Sequence, residues 1–196
     1  MIGIDFDNTI ICYDEVFNQV AIEKNLISAK LPSGKSYVRD YLRSMGQEEE
    51  WIKLQGYVYG TRLSDAHPFE GVKDFFSYCK EESIDFCIVS HKTKHPYKGY
   101  PYDLHSAAYQ WLEQENINCK IFFELTKEEK VKRIFNLGCT HFIDDLPEFL
   151  TLQGFSQTLS KILFDPLRNH EDIHNDVMKV VTSWKDLLGI LKQGLL

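Results

Sequence analysis

The apolar positions of the chain change period several times, and each change marks an element. Met1–Phe6 is a short apolar run broken only by Asp5, the pattern of a buried strand. Over Tyr13–Lys24 the apolar residues, Val16, Val20 and Ile22 among them, recur near the helical period. A turn at Leu31-Pro32-Ser33-Gly34 follows, then two more amphipathic stretches, Val38–Met45 and Glu48–Tyr57, separated by Gly46. Pro68 precedes a helical stripe over Gly71–Cys79 with Val72, Phe75, Phe76 and Cys79 on one face. From there strands and helices alternate. Strands are predicted at Ile84–Val89, Lys120–Phe123, Thr140–Ile143, Ile162–Phe164 and Met178–Val181. Helices are predicted at Asp103–Glu115, Thr126–Leu137 and Ser183–Lys192. Thr126 and Glu129 have the spacing of a capping box, and Gly138 stops that helix.

Strands alternating with helices imply a parallel, Rossmann-like sheet covered on both faces, a three-layer α/β/α sandwich. The block from about Asp14 to Asp65 breaks the rhythm. It reads as a small helical cap, residues 14–65, inserted in an α/β core formed by residues 1–13 and 66–196. Trp111, Phe75 and Phe76 fall on helix stripes and read as core.

In a parallel sheet, ligands bind at the carboxyl ends of the strands. Four groups of residues are expected there: Asp5-Phe6-Asp7-Asn8-Thr9 after the first strand, Ser90 after Ile88-Val89, a lysine at the start of the Thr126 helix, and Asp144-Asp145 after Phe142-Ile143. The sheet edge would gather Asp5, Asp7, Asp144 and Asp145. Carboxylates that crowd one another cannot all stay ionised unless a cation neutralises them. An all-oxygen donor set suits a hard ion such as Mg²⁺, which takes one or two carboxylates with waters and a substrate phosphate. A lysine beside such a site adds the positive charge that a transferring phosphoryl group needs, and a carboxylate there can act as nucleophile.

These motifs, in this order over about residues 1–150, resemble those of the haloacid dehalogenase (HAD) superfamily of phosphatases. The resemblance implies that Asp5 is the nucleophile and that Asp7 is the general acid and base, its backbone carbonyl also ligating Mg²⁺. It implies that Ser90 holds a phosphoryl oxygen, that Asp144 is a direct metal ligand and that Asp145 acts through water. Asn8 and Thr9, which complete the first motif, and His91 and Lys92, which follow Ser90, are candidate substrate contacts. No Lys-Pro pair marks the third motif. Lys127 and Lys130 both qualify, and the apolar residues Val131, Ile134 and Leu137 after Lys130 favour Lys130.

The implied reaction is Mg²⁺-dependent hydrolysis of a small phosphate monoester, a sugar phosphate or a nucleotide-like compound, through an aspartyl-phosphate. A phosphomutase or a phospho-ligand-binding module are the alternatives. A dehalogenase fits less well, because carbon–halogen chemistry has no need of a Mg²⁺ cluster.

Charge and composition narrow the field further. With 22 Lys+Arg against 29 Asp+Glu, the net charge is −7, which opposes nucleic-acid binding through bulk charge. The basic, aromatic stretch His91–Tyr102 is the exception and reads as a substrate loop. No apolar run is long enough to span a membrane, and Met1–Asp5 has no leader character. The five cysteines include no C-x-x-C pair, which points to a reducing cytoplasm. His170-Glu171-Asp172-Ile173-His174 matches H-E-x-x-H literally, but its polar surroundings lack the amphipathic helix a zinc site needs.

Overall fold

The computed structural model describes residues 1–170 and 178–194. In chain order its elements are β1 (Ile2–Ile4), β2 (Ile11–Cys12), α1 (Asp14–Glu23), α2 (Lys35–Ser44), α3 (Glu48–Gly60), a 3-10 turn (Leu63–Asp65), β3 (His67–Pro68), α4 (Val72–Glu81), β4 (Phe86–His91), α5 (Leu104–Gln114), β5 (Lys120–Glu124), α6 (Lys127–Asn136), β6 (His141–Asp144), α7 (Pro147–Leu150), β7 (Ser160–Phe164), β8 (Lys179–Val181) and α8 (Trp184–Lys192). They form two compact units. One comprises Met1–Ile11, Pro68–His91 and Ile117–Leu196, and the other Cys12–His67 and Lys92–Asn116.

The first unit is built on a six-stranded sheet of order β5-β4-β1-β6-β7-β8. Every pairing is parallel. The central strand β1 is apolar on both faces because both are covered. Successive strand residues point to opposite faces, and the two cores separate accordingly. On one face Phe86 and Phe164 meet Phe76 of α4 and Trp184 of α8. On the other, Cys87, Phe142 and Leu163 pack with Val131 and Ile134 of α6 and Phe149 and Leu150 of α7. Gly3 is required in β1, because a Cβ there would lie 2.7 Å from the Phe142 ring.

Helix ends follow the local chemistry. The Thr126 hydroxyl accepts from the Glu129 N–H at 3.1 Å, and the Glu129 carboxylate accepts from the Thr126 N–H at 3.1 Å, completing the capping box. Ser183 caps α8 in the simpler way, accepting from the Asp186 N–H.

The second unit contains α1, α2, α3 and α5. Tyr13, Phe17, Trp51 and Tyr59 form its aromatic centre, with Tyr13–Tyr59 and Phe17–Trp51 ring separations of 5.0 and 5.1 Å. The sequence pattern placed α5 with the α/β core, whereas the fold groups residues 92–116 with the helices. The reason is where the apolar stripe of α5 is buried. Trp111 is buried and donates its indole N–H to the Ala66 carbonyl at 2.8 Å, and α5 packs on the 3-10 turn and α3. The preceding loop lies directly on α3, where a Cβ at Gly56 would meet Pro96 at 2.7 Å and one at Gly60 would meet Tyr102 at 2.5 Å.

Trp184 ties α8 to the loop after β1, donating its indole N–H to the Thr9 carbonyl at 2.9 Å from a fully buried position. Trp184→Ala should lower the unfolding free energy by about 3–5 kcal/mol in urea titration. A loss under about 1 kcal/mol would contradict this account of the core.

Candidate active site

Parallel register places the chemistry. Ile4 of β1 is aligned with Ile143 of β6, so the next residues, Asp5 and Asp144, stand side by side where the two strands end. The Asp5 N–H donates to the Ile143 carbonyl at 2.8 Å, which holds that alignment. Both carboxylates are buried, with exposures of 5% and 0%. Between them lies Lys130, 3% exposed, its ammonium 2.5 Å from Asp5 Oδ1 and 2.7 Å from Asp144 Oδ2. Lys130 reaches them from the first turn of α6. The rings of Phe149 and Phe142 lie 4.2 and 5.3 Å from its ammonium, and their faces favour a cation. The other oxygen of Asp144 accepts the Leu146 N–H at 2.9 Å.

Two carboxylates therefore face one ammonium, and the group carries excess negative charge. Burial pushes the Asp5 carboxyl up to about 7; Lys130 opposes the rise, and Asp144 and Asp7 add to it. Burial alone would lower the Lys130 value, but Asp144 and Asp5 hold the ammonium above its usual range.

The other predicted residues are distributed around this triad. The loop after β1 turns sharply, with the N–H groups of Ile10 and Ile11 both donating to the Phe6 carbonyl. Asn8 takes the left-handed conformation the turn needs, at φ 58°. The Thr9 hydroxyl, fully buried, reaches Asp145 Oδ1 at 3.5 Å. Ser90 lies inside β4 rather than after it, paired in register with Phe123 of β5, because the strand runs on to His91. It is buried on a strand adjacent to β1. His91 is exposed, and its Nε2 bonds the Leu125 carbonyl at 2.9 Å. Lys92 belongs to the helical unit, buried with its ammonium 4.6 Å from the Tyr59 ring centre. Lys127 is half-buried at the first position of α6, three residues before Lys130.

A single cage of Asp5, Asp7, Asp144 and Asp145 is not what the fold builds. Among the described residues no three carboxylate, imidazole or thiolate groups converge as a ready metal site. Lys130 holds Asp5 and Asp144, and Asp145, in the bend after β6, accepts the Thr9 hydroxyl. The two buried carboxylates that remain still suit Mg²⁺, an ion content with one or two such ligands and otherwise with water and phosphate oxygens.

Sequence reasoning missed the aromatic seat of Lys130 and the support of Thr9 by Trp184. It also missed Asp165, a buried carboxylate just past the end of β7 that accepts the N–H groups of Asn169 and His170 at 3.0 and 2.8 Å. Phe142 and Phe149 were legible only as apolar positions. Of the H-E-x-x-H match, residues 171–174 lie outside the described residues.

No protein-family model and no curated protein matches the chain. Solved structures do. A HAD-superfamily hydrolase from Ehrlichia chaffeensis superimposes with a TM-score of 0.58 at 14% identity, covering 98% of this chain and 95% of that one. The fold is that of the HAD-like hydrolases. A HAD family hydrolase from Deinococcus radiodurans, with bound phosphate and sodium, gives 0.57 at 13% identity, covering 100% and 96%. The HAD-hydrolase YfnB from Bacillus subtilis, bound to magnesium, gives 0.52 at 13%, covering 97% of each chain. Among the described residues, no helix is long and apolar enough to cross a membrane.

The triad makes a prediction about stability. A carboxyl raised to about 7 in the fold, against ~3.9 unfolded, favours the folded state at low pH, and that contribution is lost as pH rises through about 7. Lys130→Met removes the partner that opposes the rise. The variant should be less stable than the parent by about 3–5 kcal/mol near pH 8, with the deficit shrinking towards pH 5 as Asp5 protonates. Lys127→Ala should stay within about 0.5 kcal/mol of the parent. A Lys130→Met deficit that does not change with pH would refute the triad.

Proposed function

We propose that the protein is a Mg²⁺-dependent phosphatase that hydrolyses small phosphate monoesters through an aspartyl-phosphate on Asp5. The observation that carries the reading is the buried Asp5–Lys130–Asp144 triad at the carboxyl edge of a parallel sheet, with Ser90 on the neighbouring strand. The HAD-like fold supports it, as do the phosphate and the magnesium bound in two proteins of that fold.

Asp5 attacks phosphorus in line with the leaving oxygen, and the P–O bond to the leaving group breaks. Asp7, two residues further along the same loop, gives its proton to the departing alkoxide. The resulting Asp7 carboxylate then takes a proton from water as that water attacks the aspartyl-phosphate. Asp5 returns as a carboxylate and inorganic phosphate leaves. Lys130 holds the Asp5 carboxylate in place and offers positive charge to the phosphoryl oxygens. Ser90 donates a hydroxyl to one of those oxygens. Asp5, Asp144 and the Asp7 carbonyl would hold a Mg²⁺ ion, which would supply the further charge that lets a phosphate dianion approach two carboxylates.

The substrate class is a small phosphorylated metabolite, a sugar phosphate or nucleotide-like ester. None of the five cysteines forms a disulfide, which suits a reducing cytoplasm.

Asp5→Asn keeps the size of the side chain and removes the nucleophile. It should fold with an unchanged far-UV spectrum and lose at least about a thousandfold in kcat on an aryl phosphate with Mg²⁺. Chelation by EDTA should abolish the parent's turnover, and excess Mg²⁺ should restore it. Near-parental turnover by Asp5→Asn would overturn the mechanism.

A further inference from the structure

The loop after β1 carries Asp7 and is braced by a residue from the last helix. Thr9, two residues beyond Asp7, is fully buried. A buried carbonyl needs a donor. The nearest N–H groups of the loop, those of Ile10 and Ile11, go to the Phe6 carbonyl instead. The donor is the indole N–H of Trp184, 2.9 Å from the Thr9 oxygen and 175 positions away in the chain. The Ile10 carbonyl, next along, takes the N–H of Phe69 at 2.9 Å.

Trp184 is built as a rigid strut. It is the first residue of α8, directly after the Ser183 cap. Its ring is fully buried against Phe75, Phe164 and Phe76, at centroid separations of 5.0, 5.9 and 6.0 Å. Gly71 makes the room, since a Cβ there would lie 3.1 Å from the Trp184 Cβ. A buried indole in turn needs an acceptor. The indole and the Thr9 carbonyl therefore satisfy each other, and neither can shift without stranding its partner. Thr9 passes the constraint on in two directions. Its backbone belongs to the same turn as Asp7, and its hydroxyl donates to Asp145 Oδ1 at 3.5 Å.

We propose that Trp184 is a positioning residue that acts through Thr9 to hold Asp7 and Asp145 in place beside Asp5 and Asp144. This role rests on the proposed function, in which the Asp7 carbonyl would help to hold Mg²⁺ and the Asp7 carboxyl moves the proton. The indole N–H is the part that matters. Phenylalanine in its place would keep most of the ring packing but leave the buried Thr9 carbonyl without its donor. The loop would then move to find another, and Asp7 would move with it. A misplacement of about 1 Å at a reacting group can cost ~100-fold in rate.

The test compares Trp184→Phe with Leu159→Ala, which cuts a buried side chain of the opposite core just before β7. With an aryl phosphate and Mg²⁺, Trp184→Phe should lose about 10–100-fold in kcat, with KM within about twofold of the parent. Leu159→Ala, though less stable, should keep kcat within about twofold. A second readout needs neither turnover nor a variant, and it stands if Trp184→Phe does not fold. The indole N–H signals of the three tryptophans in the ¹⁵N-labelled parent are followed by NMR as MgCl₂ is added. The Trp184 signal is assigned through its contacts with Phe75 and Phe164. It should shift saturably, and further than the signals of Trp51 and Trp111 in the helical unit. A Trp184 signal unmoved by Mg²⁺ would overturn this role. So would a Trp184→Phe kcat within about twofold of the parent, or a loss that Leu159→Ala matches. A parent that hydrolyses no ester while its Trp184 signal follows Mg²⁺ would sink the proposed function and leave the bracing intact. A parent that does neither would sink both.

Discussion

The α/β unit depends on the neutralisation of buried charge. Two carboxylates at the ends of adjacent strands, Asp5 and Asp144, are stripped of water, and each would carry a penalty of several kcal/mol if left unpaired. Lys130 bridges both, and Phe149 and Phe142 close around its ammonium. One ammonium does not balance two carboxylates, and the raised Asp5 value expresses the imbalance. Such a residual charge is poor design for stability alone. Under the proposed function it would be balanced in use, because the missing positive charge would arrive with the metal ion.

The sheet makes the arrangement possible. Parallel strands end together, so equivalent positions of β1 and β6 stand abreast, and the crossover through α6 brings a lysine back to the same edge. Gly3 leaves the room in which the Phe142 ring packs across β1, with the Cys139 sulfur beside it. One small residue in the central strand thus sets the packing beneath the site.

Much of this was legible in the residue pattern, for physical reasons. Lys130 was preferred over Lys127 because it stands one position before Val131 and four before Ile134, on the buried face of an amphipathic helix, and there it finds both carboxylates. The capping box at Thr126 and Glu129 was visible because both bonds are local. The carboxyl-edge placement of Asp5, Ser90 and Asp144 was visible because alternation of strands and helices implies parallel strands. Other features were not visible. The end of β4 was missed by two residues, since continuation to Ser90 and His91 depends on pairing with β5, a partner distant in sequence. The shared sheet edge predicts that four carboxylates gather, but not that Lys130 takes two of them or that Asp145 accepts the Thr9 hydroxyl.

The sequence by itself determined the class of the fold and the sheet edge at which Asp5, Ser90 and Asp144 stand. Periodicity, capping and turn chemistry act over a few residues, and the order of elements follows from them. Only the tertiary structure decided which carboxylates share Lys130, that Asp145 accepts the Thr9 hydroxyl, and that α5 packs with the helices through Trp111. An apolar stripe records that a face is buried without recording against what. Partners far apart in the chain are chosen by register and by the room that neighbouring side chains leave, and neither is written in any single segment.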